Sequence, residues 1–231
     1  MSDLLTPAEW TAIGLSLRVA VWAVAASLPL GIAAGWLLAR RNFPGKLLVD
    51  GLIHLPMVLP PVAVGYILLL LLGRNGPLGA FLHDAFGITV AFTWKGAAVA
   101  SAVVAFPLMV RAIRQAVAAA DQGLEAAART LGAGPARVFF TITLPLAAPG
   151  ILTGTLLAFA RSLSEFGATI TFVSNIPGET RTLPLALYTQ IQTPGAEWPA
   201  ARLAVVSVVI ALAALAGSEL LSRHLTRKLH G

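Results

Sequence analysis

Apolar residues run in long blocks along this chain, without the two-residue alternation of a half-buried strand or the narrow stripe of a soluble helix. A bilayer-crossing helix needs roughly 20 such residues, and five blocks reach that scale, at 13–39, 52–72, 96–113, 146–164 and 203–221. The first carries one charge, Arg18, near enough to its end to reach the interface, and holds Pro29, Gly31 and Gly35, residues that bilayer helices tolerate and that permit close packing. The second contains Pro56, Pro60 and Pro61, so its first half is expected to be kinked or unwound. Irregular backbone at that depth requires protein or a water-filled path beside it; kinking for packing alone is the other reading. The third holds Pro107 and ends in Arg111 and Arg114. The fourth comes from an overlong run starting at Val138, with membrane entry expected after Pro145. Residues 166–192 mix Thr, Ser, Asn, Pro and Gly with apolar types and read as loops and short helices.

Composition strengthens this picture. Hydrophobic types make up 57% of the 231 residues and charged types 11%, against about 25% charged in an average soluble domain. Mean hydropathy is +0.82. A disordered chain, a nucleic-acid-binding tail and almost any water-soluble enzyme are excluded. Cysteine is absent, which removes disulfide scaffolds, thiol nucleophiles and Cys-based metal sites. His54, His83, His224 and His230 are scattered without metal-ligand spacing, so no metal site is expected. The acidic start, MSDLLTPAEW, lacks the basic region of a secretory signal, and the first block is read as a retained span.

The net charge of +6 sits beside apolar runs and points to a membrane, not to nucleic acid. Arg40, Arg41, Lys46, Arg111, Arg114, Arg129, Arg137, Arg223, Arg227 and Lys228 fall on one side of a five-span topology; Arg18, Arg74, Lys95, Arg181 and Arg202 fall on the other. This bias predicts a cytoplasmic C-terminus, a cytoplasmic 115–137 segment and an outside N-terminus. No internal repeat is evident, which disfavours an inverted-repeat transporter.

The polar segment 115–137 contains a stretch of strong helix formers from Leu124 to Leu131, stopped by Gly132 and Gly134, with Pro135 opening the next helix. Leu124, Ala127, Ala128 and Leu131 share one face at three- and four-residue steps. Periodicity alone leaves two readings open: an interfacial amphipathic helix, or a docking helix whose small residues admit another surface.

The segment resembles the EAA loop of ABC importer permeases, in which Glu-Ala-Ala and a glycine are followed after nine residues by Ile-x-Leu-Pro. Gly132 is followed at that distance by Ile142, Thr143, Leu144 and Pro145. The glutamate half departs by one: the formal slots hold Ala126, Ala127 and Ala128, and Glu125 lies one residue early. LLARRNFPGK (37–46), LPMVLPPVAVGY (55–66), ARTLGAGPARVFFTITLPLAAPGI (128–151) and SLSEFGATITFVSNIPGETRTLPLALYTQIQ (162–192) look like the branch that carries molybdate and related oxyanions, with sulfate permeases as near relatives. The resemblance implies an all-α fold, that of a type I ABC importer permease, with 1–231 as one transmembrane domain of about five helices and residues 115–137 as the coupling-helix loop. It implies a homodimer of this chain in the bacterial inner membrane, two copies of a cytoplasmic ATPase, and an external oxyanion-binding protein. The coupling residues would be Leu124, Glu125, Ala126, Ala127, Ala128, Leu131, Gly132, Ile142, Leu144 and Pro145. The chain lacks a GxxxxGK[ST] pattern, so it is expected to bind no cofactor and hydrolyse no ATP; ATP and Mg belong to the ATPase. Molybdate is the favoured cargo, tungstate is expected to share the route, and sulfate or another oxyanion is the alternative.

A dianion needs dipoles and water along its path, without a site so tight that it cannot leave. Ser162, Ser164, Glu165, Thr169, Thr171, Ser174 and Asn175 are the candidates, the rival reading being ordinary helix-packing hydroxyls. Arg161 and Glu165, four residues apart, can pair on one helical face; a structural ion pair is favoured over a gating role. Gly167 is either a gate turn or a simple turn glycine. An ATP-independent transporter would call for a coupling-ion site of buried carboxylates, and a membrane enzyme for a catalytic constellation; the sequence offers neither.

Overall fold

Local chemistry at the start of the chain sets the first helix. In the computed structural model, which describes residues 5–230 and the side chains as far as Gly217 except Leu215, α1 runs from Pro7 to Arg40. Thr6 caps it: the Thr6 hydroxyl accepts from the Glu9 amide, and the Glu9 carboxylate accepts from the Thr6 amide at 2.6 Å. The helix therefore begins six residues before the apolar block suggests, and Glu9 is neutralised by Arg202 at 2.7 Å.

The span expected over 52–72, kinked or unwound in its first half, is broken outright. The prolines divide it into α2 (Lys46–Val58) and α3 (Pro61–Leu72), bent by 116° at the break. Pro60 and Pro61 lack the amides that a continuous helix would need there. A short helix that the apolar pattern did not announce, α4 (Pro77–Phe86), follows. Helix α5 (Trp94–Ala119) is longer than the expected third span and takes up the first residues of the supposed loop. Helix α6 (Gln122–Thr130) lies beyond it, capped by Asp121 through the Gly123 amide at 2.7 Å.

The next helix also starts earlier than expected. Pro135–Val138 (α7), a π-turn at Phe139–Thr143 and α8 (Leu144–Leu163) form one 29-residue helix, so helical structure begins ten residues before Pro145. Residues 166–192 fold as two short helices, α9 (Gly167–Val173) and α10 (Leu183–Ile191), joined by a loop. Helix α11 covers Glu197–His230. Among the described residues, four helices are long and apolar enough to cross a membrane, or five if the bent pair counts as one crossing.

Helices α1 and α5 run parallel: Arg18 stacks on Trp94 near their starts, and Arg40 bonds to Ala120 at their ends. They approach closely, for a Cβ added at Gly35 would lie 2.7 Å from Ile113 Cγ2. Helix α8 packs on the same pair through Met109, Ile113, Ala147 and Ala158. A second apolar cluster joins Val19, Leu68, Val104 and Phe172, which seats α3 and α9 on the half of α1–α5 far from α6. Outside these clusters, Leu47, Leu48, Leu52, Val58 and many other large apolar side chains face outward, a surface suited to lipid.

Candidate functional site

The first candidate region is α6 and the turn after it. The helix turns its Leu124, Ala127 and Leu131 side outward; Leu131 is 88% exposed and Leu124 51%. Ala126 is exposed and Ala128 half-buried. Gly132 holds φ +85°, a left-handed conformation that costs other residues strain, and it closes the helix as a C-terminal glycine does. Ile142 and Leu144 are half-buried and Pro145 exposed on the rising helix.

Glu125 does the opposite of its neighbours and turns inward. Its Oε1 accepts from Arg40 Nη2 at 2.8 Å and from the Thr143 hydroxyl at 2.9 Å, while Arg129 reaches Oε2 at 3.4 Å. The same Arg40 Nη2 donates to the Ala120 carbonyl at 3.1 Å. The Arg40 and Glu125 side chains are only 10% and 8% exposed. One carboxylate thus joins the end of α1, helix α6 and the π-turn at the base of α8. Sequence reasoning singled out Glu125 but missed Arg40 and Thr143. The only available signal was an arginine at the end of the first apolar block, and its partner lies 85 residues away. A cavity of about 470 Å³ opens beside this triad, lined by Trp36, Arg41, Gln122 and Phe139 among others.

The second region is the junction of α8 with α9. Glu165 sits just beyond α8, fully enclosed, and accepts from the Ala168 amide at 2.8 Å, capping α9. Arg161 Nη1 lies 2.8 Å from its other oxygen. Gly167 is packed on the α2–α3 break, since a Cβ there would stand 2.9 Å from Pro61 Cβ. Gly65 is pressed onto α9, with 2.5 Å between its added Cβ and the Ala168 carbonyl. The broken helix and the α8–α9 junction therefore form one unit.

The proposed path residues do not form one lining. Ser162 and Thr169 are buried, and their hydroxyls have no partner. Ser164 and Thr171 instead donate to carbonyls of their own segments, Arg161 at 3.1 Å and Gly167 at 2.9 Å. Asn175 belongs to a loop lock, donating to Thr189 at 2.8 Å and accepting from Arg181 Nε at 2.9 Å. Ser174, exposed at φ +65°, turns the chain into that loop. No group of three or more His, Cys, Asp or Glu suited to a metal ion occurs among the described residues.

The comparisons with known proteins bear on this arrangement. Residues 27–227 match the family of binding-protein-dependent transport system inner membrane components. The chain belongs to that family. As a member it is a multi-pass inner-membrane transport subunit and not an enzyme in its own right. The molybdenum transport system permease protein ModB of Escherichia coli (strain K12) is 63% identical over 220 residues, covering 95% of this chain and 96% of that one. The sulfate transport system permease protein CysT of Salmonella typhimurium (strain LT2) is 38% identical over 185 residues, 80% of this chain and 65% of the relative. The fold is that of ABC importer permeases: a bacterial ABC transporter for import of the acidic polysaccharide alginate superposes with a TM-score of 0.76 at 18% identity, covering 97% of this chain and 82% of that one.

Proposed function

We propose that this chain is the permease subunit through which an ABC importer carries molybdate, and with it tungstate, into the cytoplasm. The observation that carries the reading is the interval in similarity between the molybdenum permease at 63% identity over nearly both full lengths and the sulfate permease at 38% over less of each. The proposed assembly holds two copies of this chain, two cytoplasmic ATPase subunits that bind ATP and Mg, and an external protein that delivers the oxyanion. Two copies place a path on their symmetry axis. The chain itself contributes no cofactor site.

In this reading α6 and the C-terminus face the cytoplasm, with the N-terminus outside. The exposed Leu124, Ala127 and Leu131 enter a groove on the ATPase. ATP binding draws the two ATPases together, and the pull on α6 passes through Glu125 to α8 by way of Thr143 and to α1 by way of Arg40. The helices then shift as rigid bodies between inward- and outward-facing arrangements, and hydrolysis resets them. We place the ion's route beside the α2–α3 break, where interrupted backbone is compatible with a water-filled path. The unspent hydroxyls of Ser162 and Thr169 are the donors best suited to line it once the junction opens. Hydroxyls hold a dianion loosely enough to release it.

The test is uptake of labelled molybdate by cells lacking this chain, with and without a plasmid copy, in the presence of excess tungstate or sulfate. Restored uptake that tungstate suppresses and sulfate leaves intact is expected. Suppression by sulfate equal to that by molybdate itself, or uptake that persists without the ATPase, overturns the reading.

A further inference from the structure

We propose that the groove between α1 and α5, on the half of the molecule far from α6, is a binding site for an anionic phospholipid. The site is separate from both regions described above, and the inference does not depend on which ion is transported.

The sequence places Arg18, Trp22 and Ala26 at four-residue steps, hence on one face of α1. Lys95, Val99 and Ala102, at steps of four and three, share a face of α5. Because the two helices run parallel, these faces meet and enclose a cavity of about 420 Å³. Its mouth is cationic and aromatic. The Arg18 guanidinium carbon lies 3.7 Å from the centre of the Trp94 ring, and Trp22 tilts against Trp94 with 6.3 Å between ring centres. Below the mouth, Ala23, Ala26, Ala98 and Ala102 leave an apolar trough.

The trough does not end there. A second apolar cavity of about 400 Å³ shares Ala102 and continues past Leu30 and Phe106 to Pro56 of α2. At 1.5 Å of helix rise per residue, Arg18 to Leu30 spans about 18 Å. Half of a hydrocarbon core roughly 30 Å thick is close to that length. The groove thus runs the depth of one leaflet, as an acyl chain does.

Charge selects the headgroup. Neither Arg18 nor Lys95 takes part in any ion pair among the described residues. Glu179, the carboxylate that reaches the first turn of α5, is turned to the Trp94 amide at 3.3 Å. That carboxylate offsets the positive N-terminal end of α5, so the charge at the mouth comes from Arg18 and Lys95. A phosphate between Arg18 and Lys95, flanked by tryptophans at the depth where such rings settle, completes the mouth. A zwitterionic headgroup would bring its own cation against these two, so a headgroup with no amine, such as phosphatidylglycerol, fits better.

The test uses tryptophan emission from the full chain in phosphatidylcholine bilayers. These are doped either with phosphatidylglycerol brominated on its acyl chains or with phosphatidylcholine brominated alike. Brominated phosphatidylglycerol is expected to quench more strongly, with the excess abolished by W22F/W94F. Each cation near a surface strengthens anionic-lipid attraction by an amount that corresponds to about five-fold in affinity, so K95Q should lower the preference about five-fold and R18Q/K95Q about thirty-fold. Lys95 is exposed, so K95Q remains informative if the double variant fails to fold. The proposal is overturned by equal quenching from both lipids, or by an excess that K95Q leaves undiminished. It is also overturned by loss of the excess to soluble glycerol phosphate, which would mark a free-phosphate site. Shielding of both tryptophans from both brominated lipids would mean that protein, such as a second copy, covers the groove.

Discussion

Replacing Glu125 by alanine strips a carboxylate from a guanidinium that is itself only 10% exposed. Arg40 then keeps the Ala120 carbonyl as a hydrogen-bond acceptor, and the Thr143 hydroxyl loses its acceptor. Breaking one side of a buried ion pair costs about 3–5 kcal/mol, chiefly the penalty of the charge left behind. Arg129 adds little, since a pair whose arginine is 61% exposed is worth at most about 1 kcal/mol. Glu125→Ala is therefore expected to lower the thermal unfolding midpoint of the purified protein clearly, and to abolish uptake. The informative companion is R40M/E125L/T143V, which removes both charges and the stranded hydroxyl together. Apolar replacement of a buried pair is commonly neutral or stabilising, so its midpoint should return to the wild-type value or exceed it. Apolar side chains pack without fixing direction, so ATP turnover by the assembly should persist while molybdate delivery stays low. Two results would refute the reasoning: Glu125→Ala as stable as wild type, or a triple variant that transports normally.

Three further outcomes are expected. Gly132→Val forces a β-branched residue to φ +85°, at about 1–2 kcal/mol; helical content by circular dichroism should be kept while uptake falls relative to ATP turnover. Gly65→Val drives a side chain into the Ala168 carbonyl, where even a Cβ would sit at 2.5 Å, and overpacking by about 1–3 kcal/mol should depress both the unfolding midpoint and uptake, with Gly65→Ser milder. Glu165→Gln keeps the cap on the Ala168 amide but discards the pairing with Arg161, so the assembled complex should be recovered in reduced yield on gel filtration; full yield with lost uptake would assign the pair to gating.

Four of the long helices were legible because a bilayer imposes one pattern, an apolar run of sufficient length, that needs no knowledge of neighbours. Their ends were less legible. Helix α1 reaches back to Pro7 because Thr6 caps it and Arg202, distant in sequence, neutralises Glu9. Pro60 and Pro61 announced an interruption, but a proline sets a local dihedral and removes a donor; the 116° turn is set by what the broken helix packs against, including Gly167. Helix α4 was too short to stand out. At the candidate site, the face of Leu124, Ala127, Ala128 and Leu131 follows from helical periodicity, and all of it but the half-buried Ala128 is exposed, as is most of α6. The inward turn of Glu125 does not follow from it, since on a nine-residue helix a charged side chain can equally point to water. Only the nearness of Arg40 and Thr143 in space decides it.

The parallel pair α1–α5 meets through Gly35 so tightly that a methyl group there would run into the Ile113 side chain, and Arg40 fastens their far ends to Glu125 of α6, which in turn holds Thr143 below α8. Those helices cannot slide past one another by small steps, so they travel as one girder. The α2–α3 break and the α8–α9 junction are wedged against one another at Gly167 and Gly65, so a displacement of either around that girder drags its counterpart along.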